Sequence, residues 1–154
     1  MQIIQTSESE VVAHLNKEVH DLHVSLYPAY FKEYHFETVN EFFKNAMTNP
    51  RFLFYIIKDE DQYLGYAWIE LREYTENVFM RAYKSIFVHQ LCISKRYQSR
   101  GLGSLLINKI DQIAKENGIN KIELDFWADN KIAEQFYLKN GFKDYRRFVY
   151  RDHH

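Results

Sequence analysis

Cysteine is almost absent from this chain of 154 residues, which also lacks a long apolar run. The one cysteine, Cys92, has no partner for an internal disulfide, so a reducing cytoplasm is the expected location. No apolar stretch approaches the roughly 20 residues that span a bilayer. The first residues lack the basic and then apolar pattern of a secretory leader. We therefore expect no membrane partner.

A strong net charge is missing as well. Twenty lysines and arginines face 21 aspartates and glutamates, for a formal net charge of -1. Such a chain has no global field to attract nucleic acid, so no nucleic-acid partner is expected and any anion needs a local site. The histidine pairs His20/His23 and His153/His154 have no convergent carboxylate or cysteine ligands near them in sequence, so no metal is expected.

Proline and glycine are scarce, with two and five residues, and no linker, repeat or low-complexity tract is visible. Hydrophobic residues make up 46% of the chain and aromatic residues 17%, which is ample material for a packed core. Residues 1–154 are therefore predicted to form a single domain.

Two amphipathic helices are predicted in the first third of the chain. Ser7 and Glu10 have the spacing of a capping box, and Thr38 and Glu41 repeat it before the second helix. The first helix shows a buried stripe at helical spacing: Val11, Leu15, Val19, Leu22 and Leu26. The aromatic and charged connector 27–37 lies between the two helices.

Strand patterns dominate the middle of the sequence. Segments 52–57 and 63–74 read as an antiparallel hairpin, and the apolar segment 86–93 as a central strand. A helical stripe follows: Leu102, Leu105, Leu106, Ile110 and Ile113. Alternation over 122–126 predicts a further strand, parallel to the central one because a helix joins them.

The end of the chain completes an α/β fold. Asp129 or Asn130 can cap a last helix, Gly141 suits the left-handed position after it, and 142–150 predicts one or two closing strands. The expected architecture is a mixed, mostly antiparallel twisted sheet of about six or seven strands, flanked by about four helices.

A glycine-rich turn over 98–103 separates the central strand from the helix that follows it. Glycines allow close approach, and a helix N-terminus offers free N–H groups and a positive dipole end, so the turn suits phosphate. Lys95, Arg96 and Arg100 can add charge.

Other phosphate motifs fit this turn poorly. A Walker loop needs Gly-Lys-Ser/Thr where the chain has Gly103-Ser104-Leu105, and Leu106 occupies the third small position of a dinucleotide fingerprint. A tight turn without a ligand remains the alternative.

Two motifs carry a family resemblance. Gln98, Gly101 and Gly103 match Gln/Arg-x-x-Gly-x-Gly/Ala, and 130–142 matches Asn-x-x-Ala-x-x-Phe-Tyr-x-x-x-Gly-Phe. At this separation they resemble the GCN5-related N-acetyltransferase (GNAT) superfamily. The resemblance implies a central strand splayed from its parallel neighbour and acetyl-coenzyme A (acetyl-CoA) as cosubstrate, with no metal. The cofactor-binding residues that it implies are Leu91, Cys92, Ile93, Gln98, Ser99, Arg100, Gly101, Leu102, Gly103, Ser104, Asn130, Ala133 and Tyr137.

The same resemblance implies direct acetyl transfer with Tyr137 as general acid. Some members carry a glutamate base near the central strand, where this chain has His89-Gln90, and His89 is the first candidate for the base. Further candidates, acting through water, are Glu70, Glu73 and Asp125. A Cys92 thiol intermediate is disfavoured, because a residue three positions from His89 on a regular strand points to the opposite face.

The resemblance predicts an N-acetyltransferase that acts on a primary amine of a small molecule or peptide. The alternative is an acyl-CoA-binding regulatory or structural module with little catalysis. The amine and the preferred acyl chain stay open, and connector 27–37 is a candidate substrate wall. Many relatives dimerise through C-terminal strands, so a homodimer involving Tyr145, Phe148 and Tyr150 is also expected.

Overall fold

A mixed five-stranded sheet forms the centre of the molecule, and the computed structural model describes residues 1–154. The sheet order is β1-β2-β3-β4-β5, with antiparallel neighbours up to β4 and a parallel β4–β5 pair. The strands are β1 (Gln2–Gln5), β2 (Phe52–Asp59), β3 (Gln62–Tyr74), β4 (Tyr83–Ile93) and β5 (Ile122–Glu123). The helices are α1 (Ser9–Leu26), α2 (Phe36–Ala46), α3 (Leu102–Glu116) and α4 (Lys131–Lys139). The predicted α/β fold is confirmed.

Helices cover both faces of the sheet. On one face, α3 buries Leu106 and Ile110 against sheet residues such as Val88. On the other face, α1 and α2 bury an aromatic group that includes Phe43 and Tyr66. Alternate residues of β2, β3 and β4 supply the two cores, as the period of a strand requires. No helix combines the length and the apolar character needed to cross a membrane.

The parallel strands stay together for only two residue pairs. Ile86 pairs with Ile122 and Phe87 with Glu123, after which β4 continues to Ile93 without a strand neighbour on that side. The splayed parallel pair is therefore present, and it leaves one side of the end of β4 open.

A β-bulge shifts the register between β3 and β4. Trp68 faces Gln90 while Ile69 faces Val88, so His89 is the extra residue. The His89 ring stacks on Trp68 at 4.4 Å between centroids, on the face that also holds Cys92. The prediction that His89 and Cys92 point to opposite faces is wrong, because the bulge adds one residue to the alternation.

Three local helix predictions are also wrong. Glu8 is the N-cap residue of α1 and has no side-chain cap, so Ser7 and Glu10 form no capping box. Thr38 lies inside α2, where its hydroxyl donates to the His35 carbonyl at 3.0 Å. Leu105 is 42% exposed and does not belong to the buried stripe of α3. The residue spacing fitted each prediction, but in the folded chain α1 and α2 begin at other residues and Leu105 lies on the exposed face of α3.

The predicted closing strands over 142–150 do not form. Residues 143–154, called the C-terminal arm below, have no regular secondary structure and make no backbone–backbone hydrogen bond. Phe148, Val149 and Tyr150 are largely exposed, while the Tyr145 hydroxyl donates to the Glu123 carboxylate. A strand needs a neighbour, and β5 extends for only two residues beside the arm.

Candidate active site

The turn before α3 presents a row of free backbone donors. Gly101 is the N-cap residue of α3 and has φ +77°, in the left-handed region, and no atom beyond its chain neighbours lies within 4 Å of where a Cβ would stand. Ser99 is also left-handed, with φ 63°. None of the backbone N–H groups from Ser99 to Ser104 donates a hydrogen bond within the chain. Such a row at a helix N-terminus can bind an anion.

Gly103 has a different role from Gly101. A Cβ on Gly103 would lie 2.8 Å from Cε2 of Phe136, so the missing side chain lets α4 pack closely against α3. The second glycine of the predicted phosphate motif therefore allows close packing between α3 and α4, the two helices that carry the motifs.

The turn is tied to the open end of β4. The Gln98 side-chain amide donates to the Ile93 carbonyl at 3.0 Å, which brings the turn beside the strand segment from Leu91 to Ile93. The guanidinium groups of Arg96 and Arg100 lie 5.8 and 5.6 Å from the Tyr97 ring centre. The Gln98 contact thus joins the predicted cofactor residues of the turn to those at the end of β4.

Asn130 is the N-cap residue of α4. Its side-chain oxygen accepts a hydrogen bond from the Ala133 N–H at 3.1 Å, which satisfies one free donor of the first turn. This contact accounts for the asparagine and fixes the start of the helix that carries Tyr137.

Tyr137 is 9% exposed and lies among aromatic rings. Ring centres of Phe126, Phe136 and Phe142 are 5.8, 5.1 and 5.5 Å away. Burial raises the pKa of Tyr137 to about 12, with further contributions from the charges of Cys92 and Asp125. The phenol is therefore a neutral donor at neutral pH, and both Cys92 and Asp125 lie close enough to affect it.

Cys92 has the surroundings of an inert thiol. It is 7% exposed, and its sulfur donates to the Leu15 carbonyl at 3.5 Å. Burial, followed by the charge of Glu18, raises the pKa of Cys92 to about 12. Very little reactive thiolate is available at neutral pH, which supports the packed-cysteine interpretation.

His89 belongs to a separate polar group on the sheet. Its Nε2 lies 2.7 Å from Oε1 of Glu70, and Arg72 Nε lies 3.0 Å from the same oxygen. Burial raises the pKa of Glu70, but the hydrogen bonds from His89 and Arg72 outweigh it, so the pKa lies below its usual value. No hydrogen bond or ring contact joins His89 to Tyr137, so the structure does not bring the two predicted catalytic residues into contact.

Comparison with known proteins identifies the family. The profile of the acetyltransferase (GNAT) family matches residues 16–142, which is most of the chain and includes both motifs. The chain belongs to the GNAT family.

Two GNAT relatives illustrate the extent of the similarity. The uncharacterised N-acetyltransferase YdgE of Bacillus subtilis is 23% identical over 112 residues, which cover 70% of this chain and 68% of that protein. An uncharacterised N-acetyltransferase of Methanocaldococcus jannaschii is 35% identical over 57 residues, or 37% of this chain. The chain spans about a quarter of that second relative, since the match covers 25% of its length.

Solved structures share the GNAT fold over nearly the whole chain. A tetramutant of the BH1408 protein from Bacillus halodurans has a TM-score of 0.93 at 22% identity, with 99% of both chains covered. The aminoglycoside N-acetyltransferase AAC(6')-Iy, solved in complex with CoA, has a TM-score of 0.70 at 14% identity, with 99% of this chain and 93% of that chain covered. At these identities the similarity concerns the fold alone.

A buried hydrogen-bond network that the sequence did not reveal lies near the end of β4. The Tyr66 hydroxyl donates to Oε1 of Gln90 at 2.6 Å and accepts from the Asn16 amide at 3.0 Å. These residues come from β3, β4 and α1, and Gln90 lies two residues before Cys92. No sequence pattern signals the network, because Asn16 is 50 and 74 positions away from its two partners.

A surface cavity of about 340 Å³ lies between α1, the start of β3 and the end of β4. Its lining residues are Val11, His14, Leu15, Glu18, Tyr63 and Ser94. Glu18 accepts hydrogen bonds from the Lys95 N–H at 2.7 Å and the Ser94 hydroxyl at 3.3 Å, which anchors α1 to the end of β4. None of the predicted site residues lines this cavity, so we assign the site from the turn, the open strand and Tyr137.

Proposed function

We propose that this GNAT protein is an acetyl-CoA-dependent N-acetyltransferase that transfers acetyl directly to a primary amine. The observation that carries the proposal is the row of free N–H groups from Ser99 to Ser104 beside the open end of β4. A helix N-terminus suits a pyrophosphate, and an unpaired strand edge suits the amides of a pantetheine arm. The family membership and the CoA complex of AAC(6')-Iy are consistent with this assignment.

In this proposal each predicted cofactor residue has a physical task. Backbone donors of Ser99, Arg100, Gly101, Leu102, Gly103 and Ser104 bind the pyrophosphate, and Arg100 adds charge. Gln98 keeps the turn against Ile93, as its hydrogen bond indicates. Leu91, Cys92 and Ile93 provide the strand edge for pantetheine. Asn130 and Ala133 orient α4 through their capping contact.

The proposed reaction is direct transfer of the acetyl group from acetyl-CoA to the amine. The amine nitrogen forms a bond to the acetyl carbonyl carbon, the carbon–sulfur bond breaks, and coenzyme A leaves as thiolate. A backbone N–H from the Leu91–Ile93 segment would stabilise the developing oxyanion. Tyr137 donates its O–H to the departing sulfur, and a base accepts the proton that the amine loses.

His89 is the first candidate for the general base that accepts this proton. Its Nε2 lies 2.7 Å from Oε1 of Glu70, a contact that orients the imidazole ring. Among the other candidates, Asp125 is the carboxylate whose charge acts on Tyr137, which supports a place near the reacting amine. Comparing the pH dependence of turnover in His89→Gln and Asp125→Asn distinguishes them, because loss of the base removes one limb of the profile.

The test of the proposed function joins cofactor binding to turnover. Calorimetric titration with CoA measures binding, and release of free thiol from acetyl-CoA, corrected for hydrolysis, measures transfer to an amine panel. We expect binding together with amine-dependent thiol release. Binding without transfer to any amine would favour the acyl-CoA-binding module, and absence of CoA binding would refute both functions.

We also propose a homodimer formed through the C-terminal arm. The arm exposes the backbone donors and acceptors of residues 143–154 together with the apolar side chains of Phe148, Val149 and Tyr150. β5 offers a sheet edge after only two paired residues. A second copy of the chain provides both a complementary strand and an apolar surface, which makes it the partner that fits.

Two sequence expectations remain predictions in this proposal. Residues 1–154 are expected to act as one domain, because a single sheet runs through both apolar cores. A cytoplasmic location is expected from the single cysteine, Cys92, which is free and buried.

A further inference from the structure

Four aromatic rings form a cluster at the end of β5. The Trp127 ring lies 4.6 Å from Tyr27, 6.0 Å from Tyr30 and 5.2 Å from Phe31, measured between centroids. Trp127 directly follows Phe126, whose ring stacks on Tyr137 at 5.8 Å. This cluster, called the aromatic platform, joins the α1–α2 connector to the chain beside the proposed catalytic tyrosine.

The platform is held in place and yet open to solvent. The Tyr27 hydroxyl accepts a hydrogen bond from the Asp129 N–H at 3.1 Å, which ties the connector to the loop before α4. Below it, His23 stacks on Phe31 at 5.0 Å, and burial lowers the pKa of His23, so that this ring carries little positive charge at neutral pH. Trp127 is 40% exposed and Tyr30 is 62% exposed.

Two carboxylates flank the exposed tryptophan in sequence. Asp125 and Asp129 are both exposed, and neither forms a salt bridge with lysine, arginine or histidine. The lysine nearest to Asp129 in sequence, Lys131, is paired with Glu134 at 3.2 Å. Asp125 affects Tyr137, whereas Asp129 lies against Tyr27 of the platform. The surface thus combines open aromatic faces with negative charge that the chain does not neutralise.

We propose that the aromatic platform and Asp129 bind a second ammonium group of the acceptor, beside the place where the other amine is acetylated. This inference rests on the proposed function and names its substrate class: an organic polyamine with at least two cationic nitrogens. An ammonium group is attracted to the face of tryptophan or tyrosine and to a carboxylate, and the hydrocarbon between two amines packs on the rings. A neutral or anionic acceptor gains nothing from Asp129.

The two tryptophans of the chain allow binding to be measured without turnover. Trp68 is 7% exposed in the core, so a ligand on the platform changes mainly the fluorescence of Trp127. The probes are putrescine and spermidine as linear polyamines, neamine as an amino sugar, and n-butylamine as a single-amine control. Each is titrated with and without saturating CoA, the product, so that no acetyl group is transferred.

We expect at least one polyamine to bind about tenfold or more tightly than n-butylamine, as one additional cation contact predicts. If only the linear polyamines bind, the acceptor is a linear polyamine, and if only neamine binds, it is an amino sugar. Asp129→Asn is expected to weaken the polyamine about fivefold to tenfold and to leave n-butylamine unchanged. Tyr30→Ala, at the most exposed ring, is expected to act in the same direction.

Asp111→Asn, an exposed charge change on α3, is the matched control and should have no effect. Equal affinity for n-butylamine and all polyamines would overturn the proposal, as would unchanged polyamine affinity in both platform variants. Failure of the proposed function is read separately, from absence of CoA binding or of acetylated product, because polyamine binding is also measured without CoA.

Discussion

Tyr137 is a neutral phenol held in an apolar setting next to the proposed thioester position. Its pKa of about 12 exceeds the ordinary thiol pKa of about 8.5 by more than three units. Complete proton transfer to a departing thiolate is therefore uphill by about 5 kcal/mol. Donation of a hydrogen bond carries no such penalty, so we infer that Tyr137 stabilises the leaving sulfur mainly as a donor.

Removing this hydroxyl tests the inference at the residue scale. Tyr137→Phe is expected to lower kcat about a hundredfold and to change CoA affinity less than about twofold, since the donor acts on the leaving group. Thiol release and calorimetry provide the two values. Tyr55→Phe is the matched control, because Tyr55 is also 9% exposed and its hydroxyl makes no hydrogen bond in the chain. An equal loss in both variants would refute the catalytic role.

The thiol of Cys92 is expected to be unreactive in the folded chain, because burial raises its pKa. The pKa of the thiol is raised from 9.0 to about 12 in the folded chain, so the folded state favours the protonated form. That contribution to stability is complete below pH 9 and is lost as the pH rises toward 12. Alkylation at pH 8 should be at least about a hundredfold slower in the folded than in the unfolded chain.

The check for Cys92 is a time course with a thiol reagent, with and without denaturant. Cys92→Ala is also expected to reduce the loss of stability between pH 9 and pH 12. Rapid modification of the folded protein, accompanied by an acetylated enzyme intermediate, would revive the thiol mechanism.

At the scale of elements, regular patterns were predictable and irregular ones were not. Strand alternation and the stripe of α3 reflect burial on one face, which each residue encodes locally. The bulge at His89 depends on how β3 and β4 match across the sheet, so no local signal reported it. The capping boxes predicted at Ser7 and Thr38 do not form, because tertiary structure, and not residue spacing, determines where α1 and α2 begin.

The close packing of α3 against α4 depends on the missing side chain of Gly103. Gly103→Ala places a Cβ 2.8 Å from Phe136, so the ring must shift. We expect a loss of about 1 to 2 kcal/mol in the free energy of unfolding, measured with urea. In a Phe136→Leu background, which vacates that space, the same substitution should cost almost nothing. Similar costs in both backgrounds would show that the glycine serves another purpose.

At the scale of the whole molecule, the C-terminal arm is the part that a single chain leaves unfinished. The sequence predicted one or two closing strands over 142–150, and local β-propensity alone does not provide the neighbour that a strand needs. The chain itself provides no strand to pair with the arm, so propensity has no ladder to join. The candidate site shows the same division: motif residues near one another in sequence were found, whereas the Asn16–Tyr66–Gln90 network and the aromatic platform required the fold.

The homodimer proposal predicts a change in mass. Phe148→Asp is expected to convert a dimer into a monomer, because it places a charge on a fully exposed apolar residue of the arm without disturbing the core. Light scattering during size-exclusion chromatography measures the result. Val78→Asp is the matched control, since Val78 is 91% exposed at the tip of the β3–β4 hairpin. A monomeric parent protein, or a dimer lost only in Val78→Asp, would contradict the role of the arm.

In the proposed function, acetyl-CoA donates its acetyl group to an amine at this site. The most direct measurement is mass spectrometry of an amine panel incubated with the protein and isotope-labelled acetyl-CoA. We expect an amine that carries the labelled acetyl group, formed in step with free coenzyme A and about a hundredfold more slowly in Tyr137→Phe. Bound cofactor with no labelled amine, or product formation unchanged in Tyr137→Phe, would contradict it.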